Sequence, residues 1–195
     1  CHCSTKDSVK MVRIAKKDGV SVSAEVCPHH FAMTEDEIAG DDANYKMNPP
    51  LRSAADVEAL VDGLADGTME AISTDHAPHG EEEKKQSIAK APFGIVGSET
   101  AYALSVTHLV KTGKLTPLQL VEKMSTNPCR ILSVPGGTLS VGAPADITIA
   151  DMDSEYVIDK NTFLSKGKNT PFDGAKVNGR VYYTIVGGNI VYQYE

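Results

Sequence analysis

No block of basic residues runs anywhere along the 195 residues, in which 19 Lys and Arg stand against 26 Asp and Glu for a formal net charge of −7. A nucleic-acid binder shows a basic stripe or patch, so nucleic acid is not expected as a partner. Nor does any apolar run approach the roughly 20 residues of a membrane span, so no membrane partner is expected. Neither GK[ST] nor GxGxxG occurs, which removes the usual phosphate loops. The four cysteines (Cys1, Cys3, Cys27, Cys129) form no CxxC pair. Cys1-His2-Cys3 has no second pair at finger-like spacing, and buried free thiols in a reducing cytoplasm are the expectation. The chain opens "CHCSTK" without Met or a signal peptide, like a start inside a structural element.

What is present is ordinary for a folded chain: 41% hydrophobic and 23% charged residues, enough for one domain or one domain with a small appendage. "STKDSVKMVRIAKKDG" carries a helical apolar stripe with Gly19 as its stop. "VSVSAEV" (20–26) alternates like a strand. Thr34 and Glu37 have capping-box spacing. "SAADVEALVDGLADG" predicts a helix with Ser53 as N-cap, and "MEAIST" (69–74) a short strand that delivers Asp75. Further helices are expected from about Ser98 to Lys111 and from Thr116, with Pro117 at the first helical position. Helix and strand thus alternate over residues 1–134, the signature of βα units on a parallel sheet, whose ligands bind at the carboxyl ends of the strands. Residues 135–195 read as a separate β module, with a hairpin around Gly187-Gly188.

Several motifs can carry chemistry. In "STDHAPHG" (73–80), an Asp at a strand end can ligate a metal or move a proton, and His76 and His79 can orient a substrate or simply cap the next helix. "YKMNPPLRS" (45–53) stiffens a loop around Asn48 with two prolines, and Arg52 can add a charge. His2 in "CHCST" ends a presumed strand on the same rim as Asp75. His29 and His30 in "CPHH", read as strand residues, point to opposite faces, which favours structural or supporting roles over joint service to one metal. "KAPFGIVGSET" (90–100) is a glycine-containing loop before a helix, with backbone groups at Phe93 and Gly94 available to a flat ligand.

In this order, "CHCSTKDSV", "AEVCPHH", "YKMNPPLRS", "STDHAPH", "KAPFGIVGSET" and "GTLSVGAPADITIADMD" resemble the class I dihydroorotases of the amidohydrolase superfamily. The resemblance implies an α/β fold: the C-terminal half of a (β/α)8 TIM-type barrel (1–134), followed by part of a small β-sandwich (135–195). It implies zinc, one or two ions, with His2 and Asp75 as ligands and Asp75 as general acid/base. It places Asn48 and His79 on the substrate, and the Phe93-Gly94 backbone against a pyrimidine ring. The reaction implied is the reversible cyclisation of N-carbamoyl-L-aspartate to L-dihydroorotate in pyrimidine biosynthesis, in the cytoplasm.

The family's other metal ligands, a His-x-His pair, a bridging aspartate and a further histidine, are not found; no HxH occurs in the chain. The expectation is therefore a fragment, inactive alone, whose first partner is the missing N-terminal half. A homodimer and aspartate transcarbamoylase, with which some family members associate, are the other partner expectations. Two readings stand beside the main one: a hydantoinase- or allantoinase-type cyclic amidohydrolase, and a non-catalytic scaffold for aspartate transcarbamoylase. The acidic balance offers no steering towards an anionic substrate, so capture falls to local groups.

Overall fold

The computed structural model describes residues 1–194. Helix α1 (Lys6–Lys17) begins at Thr5, whose hydroxyl accepts from the Ser8 N–H, and ends with Lys16 and Lys17 at the negative pole of the helix dipole. Ser53 sits at the N-cap of α3 (Ala54–Ala65), but its hydroxyl donates to the Asp56 carboxylate and accepts from no backbone N–H of the helix. The other Asp56 oxygen accepts from the Lys6 N–H, so the start of one helix is tied to the start of the other. Gly63 permits their close approach: a Cβ there would lie 3.0 Å from Val9 and 3.1 Å from Met69.

Strands β1 (Glu25–Val26) and β2 (Ala71–Ile72) pair in parallel. The opening residues lie beside β1 through a 3.0 Å bond from the Cys3 N–H to the Glu25 carbonyl. The alternation over 20–26 predicts a longer strand, yet Val20 to Ser23 are exposed and outside the ladder. The partner decides this. Strand β2 is only two residues long, and among the described residues no strand pairs with residues 20–23.

"CPHH" is a second departure. Pro28 occupies the first turn of a short helix, α2 (Pro28–Ala32), with Cys27 at its N-cap. Proline needs no donor there and is preset for helix, which overrides the strand reading. His29 and His30 therefore do not point to opposite faces; their rings meet edge to face, 4.2 Å between centroids.

After the short α4 (Glu81–Lys84), α5 (Ala101–Ser105) continues through a π-helical turn, Val106–Val110. Helix α6 (Pro117–Val121) does the same through Glu122–Thr126 into α7 (Asn127–Leu132). Pro128 lacks the N–H that would bond the Met124 carbonyl, which accounts for the widened turn before it. The remainder is an antiparallel sheet of β3 (Ile147–Val157), β4 (Lys176–Val186) and β5 (Asn189–Gln193), in that order. Its β4–β5 hairpin turns at Gly187-Gly188, with φ of 55° and 82°, as a two-residue turn with left-handed central positions requires.

One apolar cluster joins Val9, Val26, Leu60, Leu64, Leu109 and Leu120 across α1, β1, α3 and the later helices. A second joins Met47, Ile95 and Leu104 to Ile158, Phe172 and Val177, so the C-terminal sheet shares a core with the residues before it. Each fully buried Leu in these clusters contributes roughly 1.5–3 kcal/mol relative to exposure. All four cysteines are free, but only Cys27 is buried; Cys1 is exposed and the other two half-buried. Among the described residues no helix is long and apolar enough to cross a membrane.

Candidate active site

His2 and Asp75 come together at the ends of neighbouring extended segments. Both adopt left-handed backbone, with φ of 50° and 45°, and among the described residues the only other non-glycine residue to do so is Ser133, at the end of α7. Such conformations cost on the order of 1–3 kcal/mol each and persist where the surroundings enforce them. His2 Nε2 lies 3.6 Å from Asp75 Oδ1. That is long for a hydrogen bond. It is close to the separation of two atoms bound to one tetrahedral zinc, for which bonds of about 2.0–2.1 Å give roughly 3.3–3.5 Å.

Glu25 fixes the orientation of the imidazole. Its Oε1 accepts from the His2 backbone N–H at 2.6 Å and lies 2.7 Å from His2 Nδ1. A carboxylate there holds the proton on Nδ1 and leaves the Nε2 lone pair facing Asp75, as carboxylates behind metal-binding histidines do. Cys27 Sγ lies 3.6 Å from the same Nδ1. Burial, then the nearby charges of Glu25 and Asp75, push its thiol well above the usual range.

The loop after Asp75 is tied down group by group. His76 Nδ1 accepts from the N–H groups of Gly97 and Ser98. His79 Nε2 lies 2.8 Å from the Phe93 carbonyl and donates to it, and the His79 backbone N–H donates to Asn169. His79 Nδ1 lies 3.8 Å from Glu83. Gly94 donates to the Lys46 carbonyl and accepts from Lys84 and Asn169. Its φ of 120° and a Cβ position 2.4 Å from Ala77 exclude any larger residue. The Phe93 ring is 57% exposed, with Lys46 Nζ 4.6 Å from its centroid. Asn48 is exposed on its loop, which is held from behind by His30 Nε2 on the Pro49 carbonyl, 2.8 Å, and by Arg52 Nε on Ser4, 3.3 Å. Thus Lys46 O links the Asn48 loop to Gly94, and Phe93 links it on to His79.

Three residues of this arrangement escape sequence reasoning. Glu25 is hidden as the penultimate residue of "VSVSAEV". Lys84 looks like part of a solvated charge run, yet its buried ammonium donates to the carbonyls of Pro92, Gly94 and Lys46. Burial, then the like charge of Lys46, depresses its pKa. Asn169 is 5% exposed and uses both ends of its amide, donating to Ala77 and Gly94 and accepting from His79.

For metal binding, two sets of three close donors exist among the described residues: His2–Glu25–Cys27 and Cys27–His29–His30. The first gathers on the Nδ1 side of His2, away from Asp75, so only His2 Nε2 and Asp75 face each other as donors, and a metal held between them needs further ligands.

The fold mixes helix and strand, with an Asp and a His converging at strand ends, and the chain belongs to the amidohydrolase family, whose model matches residues 1–191. Curated relatives called dihydroorotase, from Bacillus licheniformis and Bacillus subtilis (strain 168), are 57% and 54% identical over 193 residues. Those matches take in 99% of this chain but 45% of each relative, so the chain spans somewhat less than half their length. Among solved structures, the L-hydantoinase (dihydropyrimidinase) of Arthrobacter aurescens superposes with a TM-score of 0.90 at 33% identity, over 98% of this chain and 44% of that one. The dihydropyrimidinase of Brevibacillus agri NCHU1002 gives 0.92 at 26% identity, with the same coverage.

Proposed function

We propose that the chain is the C-terminal part of a cytoplasmic, zinc-dependent dihydroorotase that interconverts N-carbamoyl-L-aspartate and L-dihydroorotate. Residues 1–134 would form the C-terminal half of a (β/α)8 barrel and 135–195 part of a β-sandwich, each completed by the remainder of a longer protein. The observation that carries the reading is the 57% identity to a dihydroorotase along nearly the whole chain, against 33% for a hydantoinase of the same fold. The scaffold alternative is disfavoured because it has no chemical need for His2 and Asp75 held in strained backbone.

His2 through Nε2 and Asp75 through a carboxylate oxygen would hold the metal, with the other ligands from outside the chain. The chemistry zinc supplies when bound is a hydrolytic nucleophile at neutral pH and polarisation of a carbonyl. Asp75 takes the proton from the attacking water and hands it to the ring nitrogen as the amide C–N bond breaks; the reverse transfer closes the ring. Asn48 and His79 hold the substrate carboxylate, and the Phe93-Gly94 loop lies against the ring, positioned by Lys84 and Asn169. The 195 residues alone would be inactive. A homodimer and association with aspartate transcarbamoylase are the proposed assemblies.

The test compares ring opening of dihydroorotate, hydantoin and allantoin by the longer protein that contains this chain. Preference for dihydroorotate by at least about a hundredfold in kcat/KM supports the reading, and preference for either other ring replaces it.

A further inference from the structure

Beside the His2–Asp75 pair lies a group of donors that the proposed reaction does not use. Cys27, His29 and His30 are 0%, 1% and 3% exposed, and one ligand atom from each lies within 4.8 Å of the others. His29 Nε2 and His30 Nδ1 are buried without any hydrogen-bond partner, whereas the other His30 nitrogen is used on Pro49. Leaving such groups unpaired costs about 1–3 kcal/mol each, so buried polar atoms without partners call for an explanation. The arrangement follows from α2: an N-cap thiol and two imidazoles in the first helical turn, packed against one another with ring centroids 4.2 Å apart.

We propose that Cys27, His29 and His30 form a second metal site, for a thiophilic divalent cation of the zinc and cadmium class, separate from the His2–Asp75 pair. One sulfur and two imidazole nitrogens are the donors such ions select, and hard cations such as Mg2+ or Ca2+ are poorly served by them. The surroundings are mixed in charge: His2 stands near both imidazoles and Arg52 near His30, with carboxylates opposite. The carboxylates of Glu25 and Asp75 act on Cys27, and Glu25 Oε2 is itself buried and unpartnered. On binding, the Cys27 thiol gives its proton to solvent and the sulfur becomes the ligand. The proposal stands on these residues alone and does not depend on the substrate of the enzyme.

The experiment is a titration of the protein with Co2+ alone, followed in the near ultraviolet, where thiolate-to-cobalt charge transfer absorbs and imidazole or carboxylate ligation does not. One equivalent of cobalt should develop this band. It should persist in His2→Ala, in Asp75→Ala and in the Cys1→Ser/Cys3→Ser double variant. It should vanish in Cys27→Ser, and the affinity should fall at least about tenfold in His29→Gln. Zinc-edge X-ray absorption on the unaltered protein gives the same answer should Cys27→Ser fail to fold. The expected shell then includes one sulfur at about 2.3 Å and imidazole nitrogens at about 2.0–2.1 Å. No band, a band that survives Cys27→Ser, or a zinc shell free of sulfur would each overturn the proposal.

Discussion

In the Asp75–His79 loop each imidazole has a partner: His76 Nδ1 takes two backbone N–H groups and His79 Nε2 is bound to the Phe93 carbonyl. In the Cys27–His30 turn, more deeply buried, one nitrogen of each imidazole has none. The first region is partly exposed to solvent and held by its own hydrogen bonds. The second is shut away from water and short of partners. A site that must keep a fixed shape while substrate comes and goes needs its loops satisfied without the substrate. Buried nitrogens left unpaired, by contrast, make sense where something else is to bind them.

Breaking the contrast at its strongest point means removing a metal-facing group. His2→Ala in the longer protein should lower catalytic zinc content and cut dihydroorotate turnover by about a thousandfold or more, because Nε2 has no substitute beside Asp75; full zinc occupancy with near-normal rate would remove His2 from the site. Next comes the buried clamp of the rim. Asn169→Ala strips a partner from His79, Ala77 and Gly94 together, so KM should rise roughly ten- to a hundredfold, with a smaller effect on kcat. Asn169→Asp should not rescue it, since a carboxylate keeps the acceptor for His79 but faces two carbonyls. A fall in melting temperature with unchanged KM would reduce Asn169 to a stabilising role.

The buried turn offers a subtler test. Burial, then the neighbouring His30, lowers the pKa of His29 to about 3. The unfolded chain takes up a proton near the ordinary 6.5, the folded one only near 3, so between these values the unfolded state binds more protons and stability falls as pH falls. From pH 7 to pH 5 the loss attributable to His29 is on the order of 2 kcal/mol, readable by urea denaturation. His29→Gln should flatten that dependence; an unchanged slope would show that His29 is not the responsible group. Smallest of all, Gly63→Ala forces a methyl to within 3.0–3.1 Å of Val9 and Met69, for a loss of about 1–2 kcal/mol without effect on KM.

The parts of this comparison legible in the sequence are the local ones. Apolar period and caps located α1 and α3, the glycine pair located the β4–β5 hairpin, and short motifs singled out His2 and Asp75 as well as the loops of Asn48 and Phe93. Strand extent failed at residues 20–23 because it depends on a partner strand 45 or so residues away. "CPHH" departs from the strand expectation because the alternation ends at Val26 and Pro28 begins a helix. Glu25, Lys84 and Asn169 act through tertiary contacts: Asn169 reaches His79 across 90 residues, and no local pattern records that.

The most direct measurement of the central claim is dihydroorotate turnover by the longer protein carrying Asp75→Asn, with zinc measured on the same sample. An amide can still face the metal but cannot carry the proton, so the rate should fall by at least about a thousandfold while much of the zinc remains. A rate within tenfold of the unaltered protein would show that Asp75 is not the acid/base, and the account of this site would fail.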